Sequence, residues 1–339
     1  MDKTRVTLHD VAAQAGVSHQ TVSRVINNSD RVRPETRLKV EDVIEELGYS
    51  PNAIARSMVR GNTHTLGCIS PNLTDTVFNK IIESAQAEAR RQGFFVLIGT
   101  APSEDEVKSL LDELLNRRVD GLMILNPRSD NRYKLLQPLM EIGIPIIYLK
   151  NTPGDEQVSS VICDDKKGGY IATKYLLDLG HTKIAIILGP ENEECTSDRL
   201  EGYQKALGEQ GITLDEDLIV KGNWSPQSGR DAAAKLIGSK KEFSAIFSQN
   251  DRMAAGAIRN LVESDYRVPE DFSVIGYDNI SLATLIDPPL TTIEQPLIEF
   301  GEQAAKIIID LIKDGNNNTI QVSLNPKLIE RKSCTAFEK

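Results

Sequence analysis

Thr7-Leu8-His9-Asp10-Val11-Ala12-Ala13-Gln14-Ala15-Gly16-Val17-Ser18-His19-Gln20-Thr21-Val22-Ser23-Arg24-Val25-Ile26-Asn27 is the stretch on which the reading of this chain turns. Leu8, Val11, Ala12 and Ala15 recur at the i, i+3, i+4, i+7 spacing of a helix with one buried face, and Gly16 has the backbone freedom to end it. Ser18 then caps a second helix whose Val22, Val25 and Ile26 point to the same small core. His19, Gln20, Thr21, Ser23, Arg24 and Asn27 are left on the outer face. Two short helices are more often a mere packing unit. The outer face carries donors and acceptors of the kind that meet base edges and phosphates, which leaves a second reading open, a helix-turn-helix able to read DNA.

Outward from this pair, Pro34 suits a first helical turn, and Val40, Val43, Ile44 and Leu47 give a third helix one apolar face before Gly48 ends it. That closes a three-helix headpiece over residues 1–50. Residues 51–62 have helical propensity between breakers and read as a linker with a short helix, too short to be stable alone in water. Charge follows the same division. Residues 1–40 hold seven Lys/Arg against four acids, whereas the whole chain of 339 residues carries a net charge of -10. Contact with DNA must therefore be local to the headpiece.

Beyond residue 63 short apolar runs alternate with amphipathic stretches. Strands are expected at 66–69, 95–99, 121–125, 145–149, 160–163, 184–188, 218–220, 245–248 and 274–277. Helices are expected at 78–91, 107–117, 133–142, 168–179, 198–210, 227–237, 251–263 and 297–312. Repeated strand-helix units imply parallel sheets covered on both faces, and so many of them imply two sheets. The expected fold class is thus a small all-α headpiece joined to a two-lobed α/β core of two doubly wound sheets.

Other classes find little support. The four cysteines, Cys68, Cys163, Cys195 and Cys334, stand far apart without metal-binding or redox spacing and read as reduced thiols. There is no apolar leader and no run long enough to span a membrane, so the expected location is the cytoplasm. No phosphate loop, nucleophile elbow or HExxH motif is present, and no cofactor or metal is expected. His181, in Leu179-Gly180-His181, is the one tempting base; it reads as ending a helix and packing locally.

The opening run, matched in order and without gaps, resembles the headpiece of the lactose/galactose repressor (LacI/GalR) family. The resemblance extends over nearly the whole chain through Asp164-Asp165-Lys166-Lys167-Gly168, Leu179 to Ala185, Arg199-Leu200-Glu201-Gly202-Tyr203, Asn250-Asp251, Gly276-Tyr277-Asp278-Asn279 and Pro288 to Ile293. It implies a periplasmic-binding-protein-like core over 63–339. One lobe, nearest the DNA, would comprise about 63–163 and 294–323, and a distal lobe about 164–293 and 324–339. It also implies a homodimer on a pseudo-palindromic operator; with no leucine heptads after Ser333, a dimer is expected over a tetramer.

On the family's pattern His19, Gln20 and Arg24 enter the major groove, and Thr7, Ser23, Asn27, Arg33 and Thr36 meet the backbone. The linker becomes a hinge helix with Asn52, Ala55, Arg56 and Met58 at the minor groove, Met58 standing where the family has a wedging leucine. The resemblance places a small-molecule effector against Asp75, Phe78, Lys150, Arg199, Trp224, Asn250 and Asp278, at the carboxyl ends of strands. Asp251 reads as a helix cap instead. Two departures affect the ligand: Asp75-Thr76-Val77-Phe78 replaces an Asn-Pro-Phe pattern, and Lys150 replaces an acidic or small residue. Lys150 suits either an anionic effector or a surface pair with Asp155. A carbohydrate effector controlling a repressor is the main expectation. The alternatives are a catabolite-control regulator answering to a phosphorylated partner protein and a purine- or nucleoside-responsive repressor.

Overall fold

The computed structural model describes residues 6–26, 29–49, 62–125, 132–151, 158–315 and 318–337. Asn27, Asn52, Ala55, Arg56, Met58 and Asp155 lie outside the described residues. The chain divides into two compact units, 1–63 and 64–339.

The first unit holds α1 (Leu8–Ala15), α2 (His19–Ile26) and α3 (Pro34–Glu46). Local chemistry sets each boundary. Thr7 and Asp10 form a reciprocal capping box at the start of α1, with Thr7 N donating to Asp10 Oδ2 at 2.8 Å. Gly16 ends α1 at φ +65°, in the left-handed region. Ser18 Oγ accepts from Thr21 N at 3.2 Å to open α2. Val11, Ala12, Ala15, Val22, Val25, Val40 and Val43 form the core. Arg37, counted above among the basic residues, is structural: its guanidinium donates to Ser29 O at 2.8 Å and ties down the loop before α3.

The second unit begins β1 (Thr65–Ser70), α4 (Thr76–Arg91), β2 (Phe95–Thr100), α5 (Glu104–Asn116), β3 (Gly121–Leu125), α6 (Arg132–Glu141), β4 (Ile146–Leu149) and β5 (Ser159–Cys163). It continues α7 (Asp165–Asp178), β6 (Ile184–Leu188), α8 (Glu194–Glu209), β7 (Ile219–Lys221), α9 (Pro226–Gly238), β8 (Ala245–Ser248), α10 (Asp251–Glu263) and β9 (Ser273–Asp278). After α11 (Leu282–Leu285) come β10 (Thr291–Glu294), α12 (Leu297–Asp314), β11 (Gln321–Leu324) and β12 (Lys327–Ile329).

These strands form two six-stranded sheets, in the orders β2-β1-β3-β4-β5-β11 and β7-β6-β8-β9-β10-β12. All pairings are parallel except β10 with β12. The inner strands β3, β4, β6 and β8 are buried along their whole length, as parallel strands covered on both faces must be. Each sheet defines a lobe, and the chain crosses between lobes after β5, after β10 and after β11.

Helices α7 and α8 pack closely against each other. Gly202 permits it, since a Cβ there would lie 2.0 Å from Lys166 O. His181 is buried after α7, its ring nitrogens 2.8 Å from Ser244 Oγ and 3.0 Å from Ser273 Oγ. It also meets Thr335 O, so it anchors the C-terminal segment, and burial holds its pKa below the usual histidine range. Its ring nitrogens are thus engaged in holding the C-terminal segment against the sheet containing β9.

Candidate functional site

In the headpiece His19, Gln20 and Arg24 are exposed on α2, while Ser23 is half-buried. His19 stacks on His9 of α1 with ring centroids 5.5 Å apart. Arg33 is exposed at the entry to α3, and Thr36 is half-buried in its first turn. The Thr7 hydroxyl donates to Asp10 at 2.7 Å, so part of its bonding capacity serves the cap.

In the second unit all seven residues Asp75, Phe78, Lys150, Arg199, Trp224, Asn250 and Asp278 line one cavity of about 190 Å3 between the lobes. Pro71, Asn72, Val77, Glu193, Cys195 and Gln295 complete its wall. The first lobe supplies the loop after β1. Asn72 Oδ1 accepts from the backbone of Thr74 and Asp75, at 3.0 and 2.8 Å, and turns the chain into α4. Asp75 caps that helix by accepting from Val77 N at 2.8 Å. Phe78 reaches the cavity wall from a largely buried position in the first-lobe core.

The second lobe is organised around Arg199. Its Nε and Nη2 both lie 2.8 Å from Asp165 Oδ1, Nη1 donates to Gln249 O, and its guanidinium lies 3.6 Å from the centre of the Tyr277 ring. Burial opposes the charge on Asp165, but Arg199 and then Lys150 outweigh it and hold the carboxyl below its ordinary range. Arg199 sits in the second turn of α8, not at the opening of a helix, because α8 starts at Glu194, about one turn before apolar periodicity suggests. It frames the cavity from behind as much as it faces it.

Trp224 is held at φ 69°, its Nε1 donating to Glu193 Oε2 at 2.9 Å and its carbonyl accepting from Asn250 Nδ2 at 3.1 Å. The cap of α10 is Asn250, whose Oδ1 accepts from Met253 N at 2.8 Å. Asp251, expected to be the cap, instead turns inward, accepting from Ile280 N at 2.8 Å and from Thr292 Oγ1. The correction has a physical reason: Asn250 has the extended backbone of an N-cap, and the first helical residue after it points into the core. Asp251 thereby braces the turn in which Asp278 and Asn279 take φ 105° and 55°. Burial pushes the Asp278 carboxyl up to about 7, with Arg199 and Lys150 pulling the other way.

Lys150 also departs from expectation. It is buried rather than at the surface, and its Nζ donates to Gln295 Oε1 at 2.6 Å. Burial lowers its pKa, but Asp165 together with Cys195 and Cys163 outweighs it, and the net shift is upward. Glu193 and Gln295 were absent from the sequence reading. Gln295 had no signal, since it follows β10, a strand the apolar pattern does not reveal; Glu193 had none beyond the strand end preceding it. Among the described residues, no cluster of three or more His, Cys, Asp or Glu could hold a metal ion, and no helix is long and apolar enough to cross a membrane.

Residues 63–332 match the model for periplasmic binding proteins and the sugar-binding domain of the LacI family, and residues 7–52 match that for bacterial regulatory proteins of the lacI family. The chain belongs to the LacI family. A LacI-family relative, the HTH-type transcriptional repressor PurR of Vibrio atlanticus (strain LGP32), is 37% identical over 327 residues, covering 96% of this chain and 97% of that protein. Among solved structures, the lac repressor dimer bound to operator and the anti-inducer ONPF is 30% identical with a TM-score of 0.89, covering 98% of this chain and all of that one. A transcriptional regulator CelR-cellobiose complex is 34% identical with a TM-score of 0.75, covering 97% of this chain and 100% of that one. This LacI-family chain is a DNA-binding transcriptional repressor with an effector-binding domain, and its fold is the headpiece and two-lobed core that the sequence implies.

Proposed function

We propose that the chain is a homodimeric cytoplasmic repressor whose affinity for a pseudo-palindromic operator is set by a neutral saccharide in the cleft. The observation that carries the effector class is the half-buried Trp224 ring in the cavity wall, beside the carboxyl of Asp278 and the amide of Asn250. An indole face suits the apolar side of a sugar ring, and the carboxyl and amide suit its hydroxyls. Charge argues against an anionic effector. Arg199 is already paired with Asp165, and Lys150 faces Asp278, Asp75 and Glu193 in the same wall, which leaves no surplus cation for a phosphate or uronate. The cellobiose complex of CelR supports the same class. The names of the PurR relatives favour a second reading, a purine.

Calorimetry with cellobiose, lactose, glucose, galactose and ribose, set against hypoxanthine and guanine, separates the two readings. Binding of a saccharide and none of either purine is the expected result; the reverse overturns the saccharide.

On the DNA side, His19, Gln20 and Arg24 read bases, while Thr7, Ser23, Asn27, Arg33 and Thr36 fix register. The proposed linker, 51–62, carries Asn52, Ala55, Arg56 and Met58 to the minor groove. Arg24→Ala is expected to relax base preference at one position of each half-site, costing about 1–3 kcal/mol of discrimination. Selection from a random duplex library checks this: an unchanged consensus removes Arg24 from the base-reading set.

A further inference from the structure

Gln295 lies in the short segment between β10 and α12, one of the three crossings between lobes, and is 3% exposed. Its Oε1 accepts from Lys150 Nζ at 2.6 Å, and its Nε2 donates to Asp278 Oδ1 at 2.6 Å. Lys150 follows β4 of the first lobe, and Asp278 ends β9 of the second. One amide therefore touches both lobes at once.

The orientation of that amide is forced. A lysine ammonium donates and never accepts, so the amide oxygen must face Lys150 and its nitrogen must face Asp278. Asp278 Oδ1 is then held as an acceptor in either protonation state. Breaking either bond would leave a polar group of a largely buried set without its partner, a loss larger than that of an exposed hydrogen bond. The backbone agrees with a held geometry: Lys150 and Asp278 both sit in the left-handed region, at φ 78° and 105°, which is costly for residues with a side chain and persists only where the surroundings enforce it. A second polar tie near the crossings, Lys167 Nζ to Asn325 Oδ1 at 2.7 Å, is exposed and hence weak.

We propose that Gln295 is a positioning residue that latches the two lobes, tying Lys150 to Asp278 so that their closure is fixed and the second Asp278 oxygen is presented to the cleft. The latch rests on this geometry alone and holds whichever effector the cleft takes. It gives the fold a two-lobe element whose closure an occupant of Asp278 can bias, as hinge-type switching requires.

Amide hydrogen exchange on the full chain, without DNA or added small molecules, tests it. Gln295→Leu and Lys150→Met are each expected to speed exchange at the crossings, 163–167, 294–297 and 324–327, at least tenfold, while β1 and β8 stay protected. The double variant is expected to be no faster than the faster single one, because both changes break the same latch. Lys167→Ala, at the exposed tie, is expected to change these rates less than threefold. Unchanged exchange in the single variants, or effects that multiply in the double, overturns the latch. If β1 and β8 lose protection in Gln295→Leu, Gln295→Asn is measured in its place; it keeps the amide but shortens its reach, and the same criteria apply.

Discussion

Arg199→Met is expected to destabilise the second unit by about 3–5 kcal/mol, the cost of breaking a buried ion pair from one side. Arg199 and Asp165 have side chains 3% exposed, and two guanidinium nitrogens lie within 2.8 Å of one carboxylate oxygen. Methionine preserves much of the packing volume against Tyr277 but leaves the carboxylate in a low-dielectric interior with only Lys150 to offset it. The third bond, to Gln249 O, is lost as well, and Gln249 itself positions Gly189 N and Thr196 O around the same wall. Urea unfolding of the wild type and variant gives the difference; a loss under about 1 kcal/mol would mean that the pair has little net worth. The pair also sets a pH dependence. Arg199 holds the folded-state pKa of Asp165 below its unfolded value, so this contribution is present above the usual aspartate range near 3.9 and is lost as pH falls through the lower folded value. Arg199→Met removes that acid-side slope. Adding Asp165→Leu is expected to restore part of the stability, because the remaining charge leaves with it.

The same pair shows why some of the site was legible in the sequence and some was not. The inner strands among β1 to β9 announce themselves as apolar runs because both faces of a parallel sheet are buried there. Their carboxyl ends then point to Asp75, Lys150, Asn250 and Asp278 by topology alone. The headpiece is legible for a different reason: Thr7 with Asp10, Gly16 and Ser18 act within three residues of themselves. Strands β10, β11 and β12 have no such signal. Thr291–Glu294, Gln321–Leu324 and Lys327–Ile329 are short, two of them are edge strands, and β11 is placed by pairing Gln321 with Ser160, far back in the chain.

Side-chain partners follow the same rule. Nothing near Lys150 in sequence says that its ammonium is buried against Gln295, since that contact spans 145 positions and forms only when the lobes assemble. Trp224 was visible as the one tryptophan, but Glu193, which holds its indole, is 31 residues away in another loop. What the local pattern misassigned at Asp251 was a matter of one residue: Asn250 takes the cap, and Asp251 is turned into the core by the helical period.

Asp278→Asn is expected to abolish the effector response and flatten its pH dependence. In the wild type, burial pushes the Asp278 carboxyl up to about 7. A hydroxyl that donates to the ionised carboxylate favours the charged form, so the pKa of Asp278 falls in the complex and binding releases a proton. Affinity for the saccharide found by the calorimetric screen is therefore expected to rise with pH, by up to about tenfold per unit while pH lies between the bound and free values, and to level off above about 7. Repeating the titration in two buffers of different ionisation heat measures the released proton directly. Asparagine cannot titrate, and it offers the cleft an amide N–H donor where the carboxylate would accept, so it leaves the hydroxyl unmatched at a cost of about 1–3 kcal/mol, more where the lost partner was charged. Its Oδ1 still accepts from Gln295 Nε2, which separates loss of the effector from loss of the lobe latch. A wild-type affinity that is flat from pH 6 to 8, or an Asp278→Asn protein whose operator affinity still changes at the wild-type saccharide concentration, would remove Asp278 from the site.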